Sequence, residues 1–118
     1  MSNKQNASVE SNKVESIGQQ ATSVVIAQLA MPWDKWTWEE LTGKVLAATV
    51  PNLTVSQATA IQSRAGRALR GAFKGRKGTA FTALDHEYIV EIVAFELRFH
   101  NAHAATVMVE TSTALVTA

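Results

Sequence analysis

Leu84–Ala102 reads LDHEYIVEIVAFELRFHNA, and this stretch decides the fold. Leu84, Tyr88, Ile92, Phe95, Phe99 and Ala102 follow one another at spacings of 4, 4, 3, 4 and 3, the repeat of a helix face. Ile89, Val90, Val93, Ala94 and Leu97 make a second apolar face. Glu87, Glu91 and Arg98 form a narrow polar stripe between the two. A helix that is apolar most of the way round must be buried. A short chain has little material to cover both faces. Either this is the central helix of a bundle, or one face meets a second copy. We expect Ile89, Val93 and Leu97 to form an oligomer interface in a homodimer or larger assembly, since closed symmetric association is the usual answer to surplus apolar surface.

Upstream, two helix starts carry the same device. Thr37 is followed three residues later by Glu40, and Thr54 by Gln57. These are capping-box pairs, in which side chain and backbone satisfy each other at a helix N-terminus. The first box opens a helix whose apolar side is Trp38, Leu41, Val45, Leu46 and Ala48, stopped by Pro51-Asn52. The second opens a helix running to about Lys74, followed by the glycine-flanked loop Gly75-Arg76-Lys77-Gly78. An earlier helix over Lys13–Met31 is ended by Pro32, which forces the residue before it out of helical geometry. Nineteen alanines agree with a helical chain. The expected fold is all-α: a small bundle of about four helices spanning residues 13–104. Residues 1–12 hold almost nothing to bury and are expected to form a flexible polar tail. Residues 105–118 fit neither the helix nor the strand period, so helix and strand stay open there.

The 118 residues suit one domain. Apolar types make up 47 % of them, enough for a core. The absence of cysteine excludes disulfides, thiolate metal sites and a cysteine nucleophile. No apolar run is long enough to span a membrane, and the polar N-terminus lacks a signal-peptide pattern, so a cytoplasmic location is expected.

The net charge is only +1, but its placement is uneven. Between Leu41 and Leu84 stand Lys44, Arg64, Arg67, Arg70, Lys74, Arg76 and Lys77, with no acid among them. Asp85, Glu87, Glu91 and Glu96 follow with no lysine or arginine until Arg98. On a helix, Arg67, Arg70 and Lys74 fall within roughly 60° of one another. Arg64 extends the stripe, while Ile61, Ala65, Ala68, Leu69, Ala72 and Phe73 are expected on the opposite side. Such a stripe is the electrostatic footprint of a phosphate-binding surface. Arginine also suits bidentate contact with phosphate or guanine. We therefore expect Arg64, Arg67, Arg70, Lys74, Arg76 and Lys77 to contact double-stranded DNA. The bland alternative is a solvated face, or one that pairs with the acidic segment of its own or another copy. In that case the chain is a self-assembling structural or adaptor protein.

Trp38-Glu39-Glu40-Leu41, then Leu53-Thr54-Val55-Ser56-Gln57, is similar to helix-turn-helix regulators in general, over about a third of the chain. The turn lacks the usual glycine, and the second helix is long for a recognition helix. The resemblance implies a small DNA-binding regulator, such as one from a phage or mobile element.

Little else points to chemistry. Glu96, His100 and His103 would share one face of a continuous helix and are weak metal candidates, with His86 as a further ligand. No hydrolase elbow, H-E-x-x-H or nucleotide-binding glycine motif is present. No catalysis and no cofactor are expected. Trp33, Trp36 and Trp38 could stack on bases, but packing in the core or an interface is the preferred reading.

Overall fold

The computed structural model describes residues 16–76 and 79–117, with side chains as far as Ser112. The expected tail over 1–12 and the basic residue Lys77 lie outside the described residues. The described chain is helical, with no strand: α1 (Ile17–Leu29), a 3-10 turn (Trp33–Lys35), α2 (Trp38–Thr49), α3 (Val55–Ala72), α4 (Ala83–Leu97) and α5 (Ala102–Thr117).

Each of the first four helices opens on a reciprocal capping box. Thr37 and Glu40 close one at 2.9 and 3.1 Å. Thr54 and Gln57 close the next at 3.0 and 3.1 Å. Ser16 with Gln19 and Thr82 with Asp85 repeat the arrangement. Four boxes fix four helix starts, each cap worth about 1 kcal/mol.

The expected helix through Ala102 stops at Leu97. The Leu97 carbonyl accepts from the amides of both His100 and Asn101, which closes the last turn. The Asn101 side chain then accepts from the Ala104 amide at 3.0 Å and starts α5. Asparagine is poor inside a helix and good at its cap. The apolar period running through Phe99 and Ala102 masked that signal. The C-terminal stretch is therefore helical, one of the two alternatives the sequence leaves open, and the described residues form five α-helices.

α5 packs against both α1 and α4, and α1 also packs against α2 and α4. The α1–α5 contact is close because Gly18 has no side chain. Its amide donates to Thr111 Oγ1 at 2.7 Å. One turn on, the buried hydroxyls of Thr22 and Ser112 share a hydrogen bond of 3.0 Å.

The core is filled by Val25, Leu41, Val45, Ile61, Leu69, Ile89, Val90, Val93, Leu97 and Met108, all fully buried. Ile89, Val93 and Leu97 thus lie inside the single chain and form no surface, which corrects their assignment as an oligomer interface. α1, α3 and α5 cover that side of α4. The uncovered side is the other one. Leu84 is 72 % exposed and Phe99 65 %, with Tyr88 and Phe95 both half exposed between them.

An aromatic corner ties the 3-10 turn to α2, α3 and α4. Trp36 and Trp38 meet edge to face at 5.0 Å. Trp38 stacks on Phe73 at 5.5 Å, and Phe73 meets Phe81 and Tyr88 at 5.8 and 5.9 Å. Trp36 and Trp38 are buried, as the core reading of the cluster expects. Trp33 is 57 % exposed and stands outside the corner.

Candidate nucleic-acid interface

The basic stripe is built by α3. Ile61, Ala65, Gly66 and Leu69 are its buried residues, packed toward α2 and α4. At 100° per residue this fixes the opposite direction for Arg64, Arg67 and Arg70. Lys74 continues the same line just past the helix end, and all four side chains are exposed. Cations in the last turns also complement the helix dipole, so Arg70 stabilises α3 whatever else it binds.

The cations divide into two groups. Arg64, Arg67 and Lys74 make no ion pair with any described residue. Arg70 donates to the Glu39 carboxylate of α2. Burial acts to raise the Glu39 pKa. The Arg70 hydrogen bond, a bond from Glu39's own backbone and the charges of Arg70 and Arg67 outweigh it and hold the carboxyl below its ordinary value.

Arg76 is a strut of the loop. Its guanidinium donates to Asp85 at 2.8 Å, to the Ala80 carbonyl at 3.2 Å and to Thr79 Oγ1 at 3.3 Å. It also lies over the Phe81 ring at 5.1 Å. The Thr82 backbone amide donates to Asp85. With the Arg76 bond and charge, this outweighs burial and keeps the Asp85 carboxyl below its usual range. Arg76 is therefore committed within the chain, and its expected contact with DNA phosphate competes with Asp85.

The arrangement departs from a helix-turn-helix reader in one respect. Such readers present the N-terminal residues of the second helix to base edges. Here α2 and α3 do pack together across a short turn. But the first turn of α3, Val55-Ser56-Gln57, is uncharged and the cations sit in its C-terminal half. The face offers charge to a phosphate backbone more than side chains to a groove.

The three weak metal candidates are not brought together as a set. Glu96, near the end of α4, and His100, in the turn, line one pocket with Arg64 and Phe99, but His103 lies in the first turn of α5 and outside that lining, so the continuous helix that would align all three is absent. Among the described residues no group of three His, Asp or Glu side chains can hold a metal ion. His86 sits beside Asp85, and burial keeps its imidazole pKa below the ordinary value despite that carboxylate.

One feature beside the stripe has no motif to announce it. A cleft of about 360 Å³ is lined by the aromatic residues Trp33, Trp38 and Phe73 together with Arg70 and Lys74. The sequence signal was the triple tryptophan itself. Burial of Trp36 and Trp38 leaves Trp33 as its free member.

The chain matches no protein-family model, no curated protein and no solved structure.

Proposed function

We propose that the chain binds double-stranded DNA through the outer face of α3. The observation that carries this is the exposure of Arg64, Arg67 and Lys74 on one line, with no acid among the described residues in an ion pair with any of them. Arg70 joins them by exchanging Glu39 for a phosphate. Four neutralised phosphates imply a slope of log K against log salt of about −3.6. The contacts are to backbone, so the affinity is expected to depend weakly on sequence. The test is fluorescence anisotropy of a labelled random duplex at low and physiological salt. Binding that weakens along that slope, and that Arg67→Glu with Lys74→Glu abolishes, supports the reading. Wild-type binding unaffected by the double reversal overturns it.

A second reading, assembly of copies, is favoured by the outer face of α4. Leu84, Tyr88 and Phe95 lie there exposed along one helix face, and Phe99 extends the patch in the turn after α4. The same surface patch on two copies can bury itself about a two-fold axis. The two readings coexist, since α3 and the outer face of α4 use different residues.

A further inference from the structure

Three tryptophans sit within six residues, and two are buried in the aromatic corner. Trp33 is 57 % exposed although it occupies a 3-10 turn anchored by Pro32 before it and the buried Trp36 after it. A large ring held in water on a fixed support is a stacking platform in search of a partner. The cleft it borders has the size of a small-ligand site, which starts at about 300 Å³. Its apolar lining comes from Trp33 and from the stacked pair Trp38 and Phe73. Its polar lining is Thr37, Glu39, Arg70 and Lys74. Gly75 lies at the rim with φ +76°, a backbone conformation that favours glycine. Nothing stands within 4 Å of where its side chain would be, so the rim is open.

The polar groups narrow the ligand. Two cations against one carboxylate leave the cleft net positive, so it attracts an anion. Glu39, already bonded to Arg70, can still accept from an amino or imide N–H. The α3 C-terminus carries partial negative charge. That charge offsets part of the attraction of Arg70 and Lys74 for a bare phosphate, so a flat ring that stacks on Trp33 supplies what the phosphate lacks. A ring with hydrogen-bond donors, joined to a phosphate, is a nucleotide. The basic stripe passes the cleft at Arg70 and Lys74, so a strand lying along α3 would deliver its bases there. A base exposes its faces to a tryptophan only when it is unstacked from its neighbours.

We propose that this cleft is a nucleobase site. One unpaired base of a single strand stacks on Trp33 over the Trp38–Phe73 floor, while its phosphate meets Lys74. The proposal rests on the reading of α3 as a nucleic-acid face. It changes the favoured substrate from duplex to single strand, or to a duplex with an unpaired base.

The experiment measures anisotropy with two labelled probes, an oligothymidine of roughly 12 nucleotides and a duplex of equal length, for wild type, Trp33→Ala and Trp33→Phe. Loss of one stacked base is expected to weaken oligothymidine binding about tenfold in Trp33→Ala. Duplex affinity should be unchanged, which also shows that the variant is folded, and Trp33→Phe should recover most of the loss. Inorganic phosphate at millimolar concentration should not displace the oligothymidine; displacement overturns the base site in favour of a simple anion site. Equal oligothymidine affinity for Trp33→Ala and wild type overturns the nucleobase site. If duplex binding survives in that case, the α3 reading stands alone. If wild type binds neither probe, both readings fall.

Discussion

The guanidinium of Arg70 on α3 holds the carboxylate of Glu39 on α2 across the bare backbone of Gly66. A side chain at position 66 would place its Cβ 2.6 Å from Glu39 Cγ, so the bridge exists because the residue beneath it is glycine. Both partners are partly exposed, at 55 % and 33 %, which makes the pair worth about 0–1 kcal/mol in stability. Its larger effect is on charge available to a ligand. Glu39→Gln should leave the melting temperature nearly unchanged and tighten duplex binding, because Arg70 no longer has to give up Glu39, while the salt slope stays near about −3.6 since Arg70 already counts among the four phosphate contacts. Anisotropy titrations over a salt series check this. An unchanged affinity would mean that Arg70 takes no part.

Gly18→Ala is expected to be far more damaging. The added Cβ would lie 2.1 Å from Thr111 Oγ1, 2.3 Å from the Ser112 amide nitrogen and 2.4 Å from the Met108 carbonyl oxygen. Two of these are backbone atoms, which cannot rotate away. Overpacking of this kind costs about 1–3 kcal/mol or more. The helix-propensity gain of alanine over glycine, about 1 kcal/mol, offsets only part of it. Thermal unfolding followed by circular dichroism should show a clearly lowered midpoint, with α5 undocked from α1. An equal or raised midpoint would contradict the close crossing.

Acid should weaken the fold in two stages. His86, with an ordinary value of 6.5, is held lower by burial in the folded chain. The unfolded chain therefore binds more protons just below that pH, and stability falls as pH drops from 6.5 toward the folded value. Glu39 and Asp85 have ordinary values of 4.5 and 3.8 and are both depressed by their partners. Their contributions are intact above those values and are lost as pH falls through the lower folded ones. Urea midpoints measured from pH 8 to pH 3 should fall with a gentle first step and a second near the carboxylate range. His86→Gln should remove the first step and Asp85→Asn should reduce the second.

The two sides of α4 can be told apart by mutation. Phe99 is 65 % exposed and Leu97 fully buried, although only one residue lies between them. Phe99→Asp should leave the chain folded and shift any concentration-dependent association toward monomer in sedimentation velocity. Leu97→Ala should instead cost about 2–5 kcal/mol of fold stability. A monomeric wild type at high concentration would remove the assembly reading.

How far the sequence could be read depends on whether a signal is local. Thr37 with Glu40 and Thr54 with Gln57 satisfy each other within one turn, so both helix starts were legible. Thr82 closes its box with Asp85, a shorter acid than Glu or Gln that does the same work. The periodicity of Leu84–Ala102 showed two apolar faces but held nothing to say which was inside. That depends on α1, α3 and α5, whose positions are set by contacts such as Gly18 with Thr111. The basic stripe on α3 was legible from spacing alone. Its division into free and committed cations was not, because the partners of Arg70 and Arg76 are 31 and 9 residues away. Trp33 looked like its two neighbours in the sequence and differs from them only in what covers it.

The hydrogen bond between Thr22 and Ser112 joins residues 90 positions apart. At a synthesis rate of about 5–20 residues per second, the ribosome makes Ser112 about 5–18 seconds after Thr22. For that interval α1 exists without the neighbour that fits Gly18, and the inner side of α4 lacks part of its cover. The nascent chain is thus open at the seam between α1 and α5 until α5 emerges. A chaperone that holds extended apolar segments has that interval in which to act, and a stall before Met108 would leave the core unclosed.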